Sequence, residues 1–143
     1  MYTLNHNNTK IGSFSGYASV FNVKDSYNDC ILPKAFSKSL FYSNKLEVLW
    51  EHDPKKVIGI AKVIEDKHGL YVEGNIFLDA PYAKNAYNFI NQNQLNHMSI
   101  GYKTNSYYKK NGVRYIKEID LKEISLVINP ANRGAKIYRF NTR

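Results

Sequence analysis

The chain has 143 residues, 43% of them hydrophobic and 22% charged, and a net charge of +8 from 20 basic and 12 acidic side chains. That length holds one domain with a real core, and its single cysteine, Cys30, excludes an internal disulfide framework and fits a reducing compartment. No apolar run approaches the roughly 20 residues of a membrane span, and the opening MYTLNHNNTK lacks the apolar stretch of a secretory signal.

The elements follow in chain order. IGSFSGYASVF (11–21) mixes β-branched and aromatic residues with small ones and reads as a strand with glycine bends. YNDC (27–30) looks like a turn. PKAFSKSLFYSN (33–44) opens on proline and brings Phe36 and Leu40 onto one face, which predicts a short helix. KLEVLW (45–50) alternates and reads as a strand ending at EHDP. KVIGIAKVIED (56–66) is apolar on both faces, as in a buried strand, and DKHG is a hairpin turn. GLYVEGNIFLD (69–79) alternates, with Leu70, Val72, Ile76 and Leu78 on one face. DAPYAKNAYNFINQNQ (79–94) predicts the best helix, with Asp79 as cap and an apolar stripe of Tyr82, Ala86, Phe89 and Ile90. HMSIGYKTNSYY (97–108) and VRYIKEIDLKEISLVI (113–128) read as long strands around the KKNG turn, and AKIYRF (135–140) as a last one.

The expected fold is therefore mainly β with two flanking helices. It is a closed or strongly coiled antiparallel barrel of about six or seven strands. With no internal repeat and no linker, residues 1–143 are expected to form a single domain, 1–10 being a flexible lead-in.

Within LNHMSIGY, alternation turns Met98, Ile100 and Tyr102 one way and His97, Ser99 and Gly101 the other. A glycine at 101 would let a substrate backbone come close. In DLKEISLVINPAN, Ile124, Leu126 and Ile128 share one face, and Glu123, Ser125 and Val127 the other. A carboxylate in so apolar a strand asks for a partner. A serine nucleophile needs a base, a group that orients the base, and donors for an oxyanion. Of the four histidines, His6 lies in a polar terminus and His68 in a hairpin turn. His97 stands roughly 6–7 Å from Ser99 along a strand, too far for direct proton transfer. His52, just after LEVLW, is the better base. On periodicity alone a serine in a strand and a histidine before Asp-Pro are also ordinary structural residues.

Four blocks in order, GYASVFN…ILPKAF, LEVLWEHDPKKVIGIAKVIEDKHGLYVEG, MSIGY and LKEISLVINPANRGAKI, resemble the HK97-type head maturation (prohead) proteases of tailed bacteriophages. The resemblance spans residues 12–139. It implies a fold like that of the herpesvirus assemblin proteases and peptide-bond hydrolysis inside an immature capsid. It places the histidine at His52, the nucleophile at Ser99 and the acidic member at Glu123, with Asp120 as runner-up. By the same likeness, backbone N–H groups around Gly101 and in NPANRG, together with Arg133, would serve the oxyanion. Lys34 stands where the family often has glycine. Relatives are often longer at the C-terminus, so a tail for autoprocessing is expected to be short or absent. Implied partners are capsid and scaffold protein as substrate, self-association, no membrane and no cofactor, with the host cytoplasm, within the prohead, as the place of action.

Other readings stay open. Cys30 paired with His52 is one, against a small buried hydrophobe. No two histidines stand at ligand spacing and there is no CxxC, so no metal is expected. A basic capsid-assembly or nucleic-acid-binding module on the same fold is the non-enzymatic alternative. The net charge and the SYYKK cluster (106–110) speak for nucleic acid, although the basic residues are scattered and those tyrosines can instead pack across strands.

Overall fold

The computed structural model describes residues 11–91, 96–128, 130–132 and 134–142. The chain runs β1 (Ile11–Val20), β2 (Asp29–Ile31), α1 (Ser37–Tyr42), β3 (Lys45–Trp50), β4 (Asp53–Glu65), β5 (Gly69–Phe77), α2 (Ala83–Asn91), β6 (His97–Lys110), β7 (Val113–Val127) and β8 (Ile137–Thr142). One sheet contains all the strands, in the order β2-β7-β3-β4-β5-β1-β8, with β6 on the other edge of β7. It curls until its ends meet: Met98 N donates to Ala135 O at 3.0 Å and Ile137 N to Asn96 O at 2.8 Å. The coiled, mainly β architecture is the expected one. The added element is the three-residue β2, which takes Asp29 and Cys30 from the expected turn into a strand.

The pairing is antiparallel except along one edge of β7, where β2 pairs through Arg114–Ile116 and β3 through Ile124–Leu126, both parallel. Between them the 32–39 segment fills the same edge: Ile119 N donates to Ala35 O at 3.0 Å and Leu121 N to Ser39 Oγ at 2.9 Å. The backbone of β7 is thus satisfied on both sides. Inside lie Phe36, Ile58, Leu70, Ile76, Met98, Ile116, Ile124 and Leu126, all below 2% exposure. Each such side chain contributes about 1.5–3 kcal/mol of burial free energy.

Local readings differ in three places. β4 is buried on one face only: Ile58, Ala61 and Val63 point inward, while Ile60 and Ile64 are exposed. α2 starts at Ala83, and its buried stripe is Ala83, Ala86 and Ile90. Tyr82 precedes it at φ +69° with its ring largely outside, and residues 92–94 of the expected helix lie outside the described residues. The first helix is also shorter, because 33–36 form a turn and α1 begins at Ser37. Lys34, in that turn, has φ +70°. A side chain there costs roughly 1–2 kcal/mol, which glycine avoids. Lys34→Gly is expected to raise stability by about 0.5–1 kcal/mol after its own chain-entropy cost. Thermal denaturation checks this; a lower melting temperature would refute it.

Candidate active site

β7 is the spine of the site. Ser125 pairs with Ser99 of β6 on one side and with Leu49 of β3 on the other. Strands flanking a common neighbour are about 9–10 Å apart, an interval that a serine and a histidine side chain span together. β3 and β4 are joined by only Glu51 and His52, at φ +50° and +63°, and Trp50 pairs with Asp53. Positive φ at both central residues is the pattern of a tight type I′ hairpin, which favours Asn-Gly. Here it holds two residues with full side chains in left-handed backbone, a strain typical of functional positions. Contacts to β7 hold it there. Glu51 N donates to Leu126 O at 3.1 Å, His52 N to Ser125 Oγ at 3.0 Å, and Ile128 N to Glu51 Oε1 at 2.7 Å.

The imidazole lies against a carboxylate. His52 Nδ1 is 2.5 Å from Glu123 Oε1, and the buried Ser125 hydroxyl donates to Glu123 Oε2 at 2.7 Å. Both carboxylate oxygens are therefore committed, and Nε2 is the ring nitrogen left for other work. The Glu123 hydrogen bond raises the His52 pKa above 6.5; partial burial opposes this, and the charges of Glu123 and Glu51 add to it. His52 and Ser99 both line a cavity of about 330 Å³, whose walls include Ile100, Tyr102, Ala131 and Asn132. A histidine held by a carboxylate, on one cavity with a serine, is an arrangement that nucleophilic catalysis uses.

Register shifts shape this. The pairing steps from Gly101–Glu123 to Tyr102–Leu121, so Lys122 is a bulge. Ile119 and Leu121 before it, and Ile124 and Leu126 after it, are all buried, so the alternation changes phase at Lys122. The β3–β4 pairing also shifts on both sides of Leu49, with the extra residues on β4, next to the hairpin that carries His52.

The profile of the caudovirus prohead serine protease family matches residues 2–143. The chain belongs to this family. It is 33% identical over 134 residues to the prohead protease of Enterobacteria phage HK97, a match covering 90% of this chain and 60% of that protein. In fold it is similar to the varicella-zoster virus protease, at TM-score 0.60 and 14% identity over 92% of this chain and 64% of that one. It is likewise similar to the KSHV protease solved with a hexapeptide phosphonate inhibitor, at TM-score 0.61 and 14% identity over 94% and 65%. The chain thus spans less than two thirds of the length of these relatives.

Against this prohead-protease frame, the structure brings His52, Glu123 and Ser99 to one place. Asp120 departs from expectation. By strict alternation it would face away from Glu123, three residues on; the bulge puts it on the same side, yet its carboxylate binds Lys122 Nζ at 2.7 Å. Gly101 also has a different use from the one expected. It does not line the cavity, and a Cβ there would sit 2.8 Å from both Cγ and Cδ of Glu123. The missing side chain makes room for the carboxylate that reaches His52. Gly101→Ala is expected to displace Glu123 and lower any hydrolytic turnover by about 10²-fold or more, the cost of misplacing a positioned group by an ångström. Kinetics on the folded variant check it; wild-type turnover would refute it.

Arg133 lies outside the described residues, but its neighbours Ala131 and Asn132 reach the cavity. Asn132 is fixed by its amide to Val20 O at 3.2 Å and by Gly134 N at 3.0 Å. His97 is absent from the cavity wall; it bridges Lys136 at the sheet closure, and burial lowers its pKa. Cys30 is buried on β2 and is absent from the cavity wall that its neighbours Asp29 and Ile31 line, and burial raises its thiol pKa, unlike a reactive thiolate. Ile128 is exposed beyond the end of β7. Ser125 was legible only as a neighbour of Glu123; that it binds both Glu123 and the His52 backbone depends on the β3–β7 pairing. Of the expected stacking cluster, Tyr108 stacks on Tyr115 and Arg114 lies over Tyr107, so these rings engage partners across the hairpin.

Proposed function

We propose that this chain is a serine endopeptidase of phage head maturation, a single protease domain over residues 1–143 that cleaves scaffold and capsid protein segments within the immature head, in the host cytoplasm. The observation that carries the reading is the His52–Glu123 pair facing the same cavity as Ser99. In the proposed reaction Ser99 Oγ attacks the scissile carbonyl while His52 Nε2 takes its proton. Glu123 holds Nδ1–H and stabilises the imidazolium. Ser125 is a positioning residue that fixes Glu123 and the hairpin carrying His52. His52 then returns the proton to the leaving amine, and water repeats the sequence on the acyl-enzyme. The backbone N–H groups of Ala131 and Asn132 are suited to the oxyanion, since both residues line the cavity. Self-association would accompany work in a capsid. A nucleic-acid module is the lesser reading, because Tyr108 is stacked on Tyr115 and Tyr107 lies under Arg114.

The test is labelling of the purified chain with a peptidyl diphenyl phosphonate, followed by intact mass and peptide mapping. The expected result is one adduct per chain, on Ser99, lost in Ser99→Ala and slowed strongly in His52→Ala. No adduct, with steep salt-dependent nucleic-acid binding in its place, would favour the module.

A further inference from the structure

The cavity beside Ser99 has polar features that the proposed hydrolysis does not use. Ser19 lines it and is 1% exposed, and its hydroxyl has no hydrogen-bond partner among the described residues. Its placement is built. The β1–β5 register shifts between Tyr17 and Ser19, so the consecutive residues Ala18 and Ser19 are both buried. An unshifted strand would turn one of them outward. A buried hydroxyl left unpaired is unfavourable, and a ligand group bonded to it would recover that loss.

Across the same cavity stands Asp25. Its Oδ1 accepts the N–H groups of Tyr27 at 2.8 Å and Asp29 at 2.9 Å, and its Oδ2 takes part in none of the hydrogen bonds or ion pairs of the described residues. The loop is braced as well: Asp25 N donates to Asp29 O at 2.8 Å, and Ser26 N to Ala131 O at 2.9 Å. Of the other acids on the wall, Asp29 has both oxygens engaged, and Glu51 is exposed and bonded through one oxygen. Asp29 holds the Arg114 guanidinium at 2.8 and 2.9 Å, and Glu51 caps Ile128 N. On a chain of net charge +8, no lysine or arginine is among the described residues lining this cavity. Burial raises the Asp25 pKa, against the Asp29 and Tyr27 N–H groups and the Arg114 charge, which lower it.

We infer that this cavity is the pocket for a cationic side chain, lysine or arginine, adjoining the scissile bond of the substrate, with Asp25 as counter-charge and Ser19 as buried acceptor. The inference rests on the reading of Ser99 as nucleophile. The test compares two diphenyl phosphonates that differ only at the reactive centre, one bearing a lysine and one a norleucine side chain. A small alkyl fluorophosphonate serves as a label independent of side chain. Labelling of Ser99 in the full chain should be at least about tenfold faster with the lysine reagent, the scale of an added polar contact in a pocket. In Asp25→Asn, which keeps the Oδ1 acceptor of the turn, the ratio of the two rates should fall close to one. Ser19→Ala should lower that ratio about threefold without lowering the melting temperature, since it removes no bond. If norleucine labels as fast as lysine while the fluorophosphonate labels Ser99, the pocket inference is wrong and the nucleophile stands. A lysine preference unchanged in Asp25→Asn also overturns the assignment. If no reagent labels Ser99, the nucleophile reading falls and the pocket with it.

Discussion

Ser99→Ala is expected to reduce peptide hydrolysis by about 10⁴–10⁶-fold while leaving the fold intact, the range found when a serine nucleophile is removed from a working triad. The fold should survive because Ser99 is only half-buried and Ala suits its place opposite Ser125. His52→Ala should be comparably damaging. His97→Ala should cost far less, since His97 is absent from the cavity wall. The measurement is turnover of a fluorogenic peptide, or of co-expressed capsid protein, with thermal denaturation as the folding control. Cleavage by folded Ser99→Ala at the wild-type rate would remove the serine mechanism, and a larger loss from His97→Ala than from His52→Ala would move the base.

Glu123→Gln is expected to lower turnover by about 10³–10⁴-fold with little change in KM, since the carboxylate acts on a charge that develops only in the transition state. The amide keeps the shape and one acceptor but cannot favour the imidazolium. The pH dependence tests the same link. The Glu123 bond raises the His52 pKa above 6.5, and a base must be deprotonated to act. The acid limb of kcat/KM should therefore lie above pH 6.5 in the wild type and move down in the variant. Stability follows the opposite sense. A folded-state pKa raised above the unfolded one stabilises in full below 6.5, and that share is lost as pH rises through the folded value. The melting temperatures of wild type and Glu123→Gln should then differ more at about pH 5.5 than at about pH 8.5. Asp120→Asn should stay near wild type, because its carboxylate is exposed and bound to Lys122. An inactive Asp120→Asn beside an active Glu123→Gln would reverse the assignment.

Much of the architecture was readable from local pattern. Alternation in 69–77, the Asn111-Gly112 turn at φ +52° and +79°, and the LEVLW strand are set by neighbours within a few residues. The serine, the histidine and the acid could be named because motif blocks keep residue types together along the chain. Their relation could not, since the histidine joins the other two by pairings between residues more than 70 apart: His52 meets Glu123 only because the end of β3 lies parallel to β7. Alternation also assumes an unbroken period of two, and one extra residue reverses it. The bulge at Lys122 turned Asp120 to the side of Glu123, and the shift at Ala18 turned Ser19 inward. Gly101 shows the same limit: that no side chain stands there is plain from the residue type, but that the vacant space belongs to Glu123 follows from the pairing of β6 with β7, because the contact is made across strands.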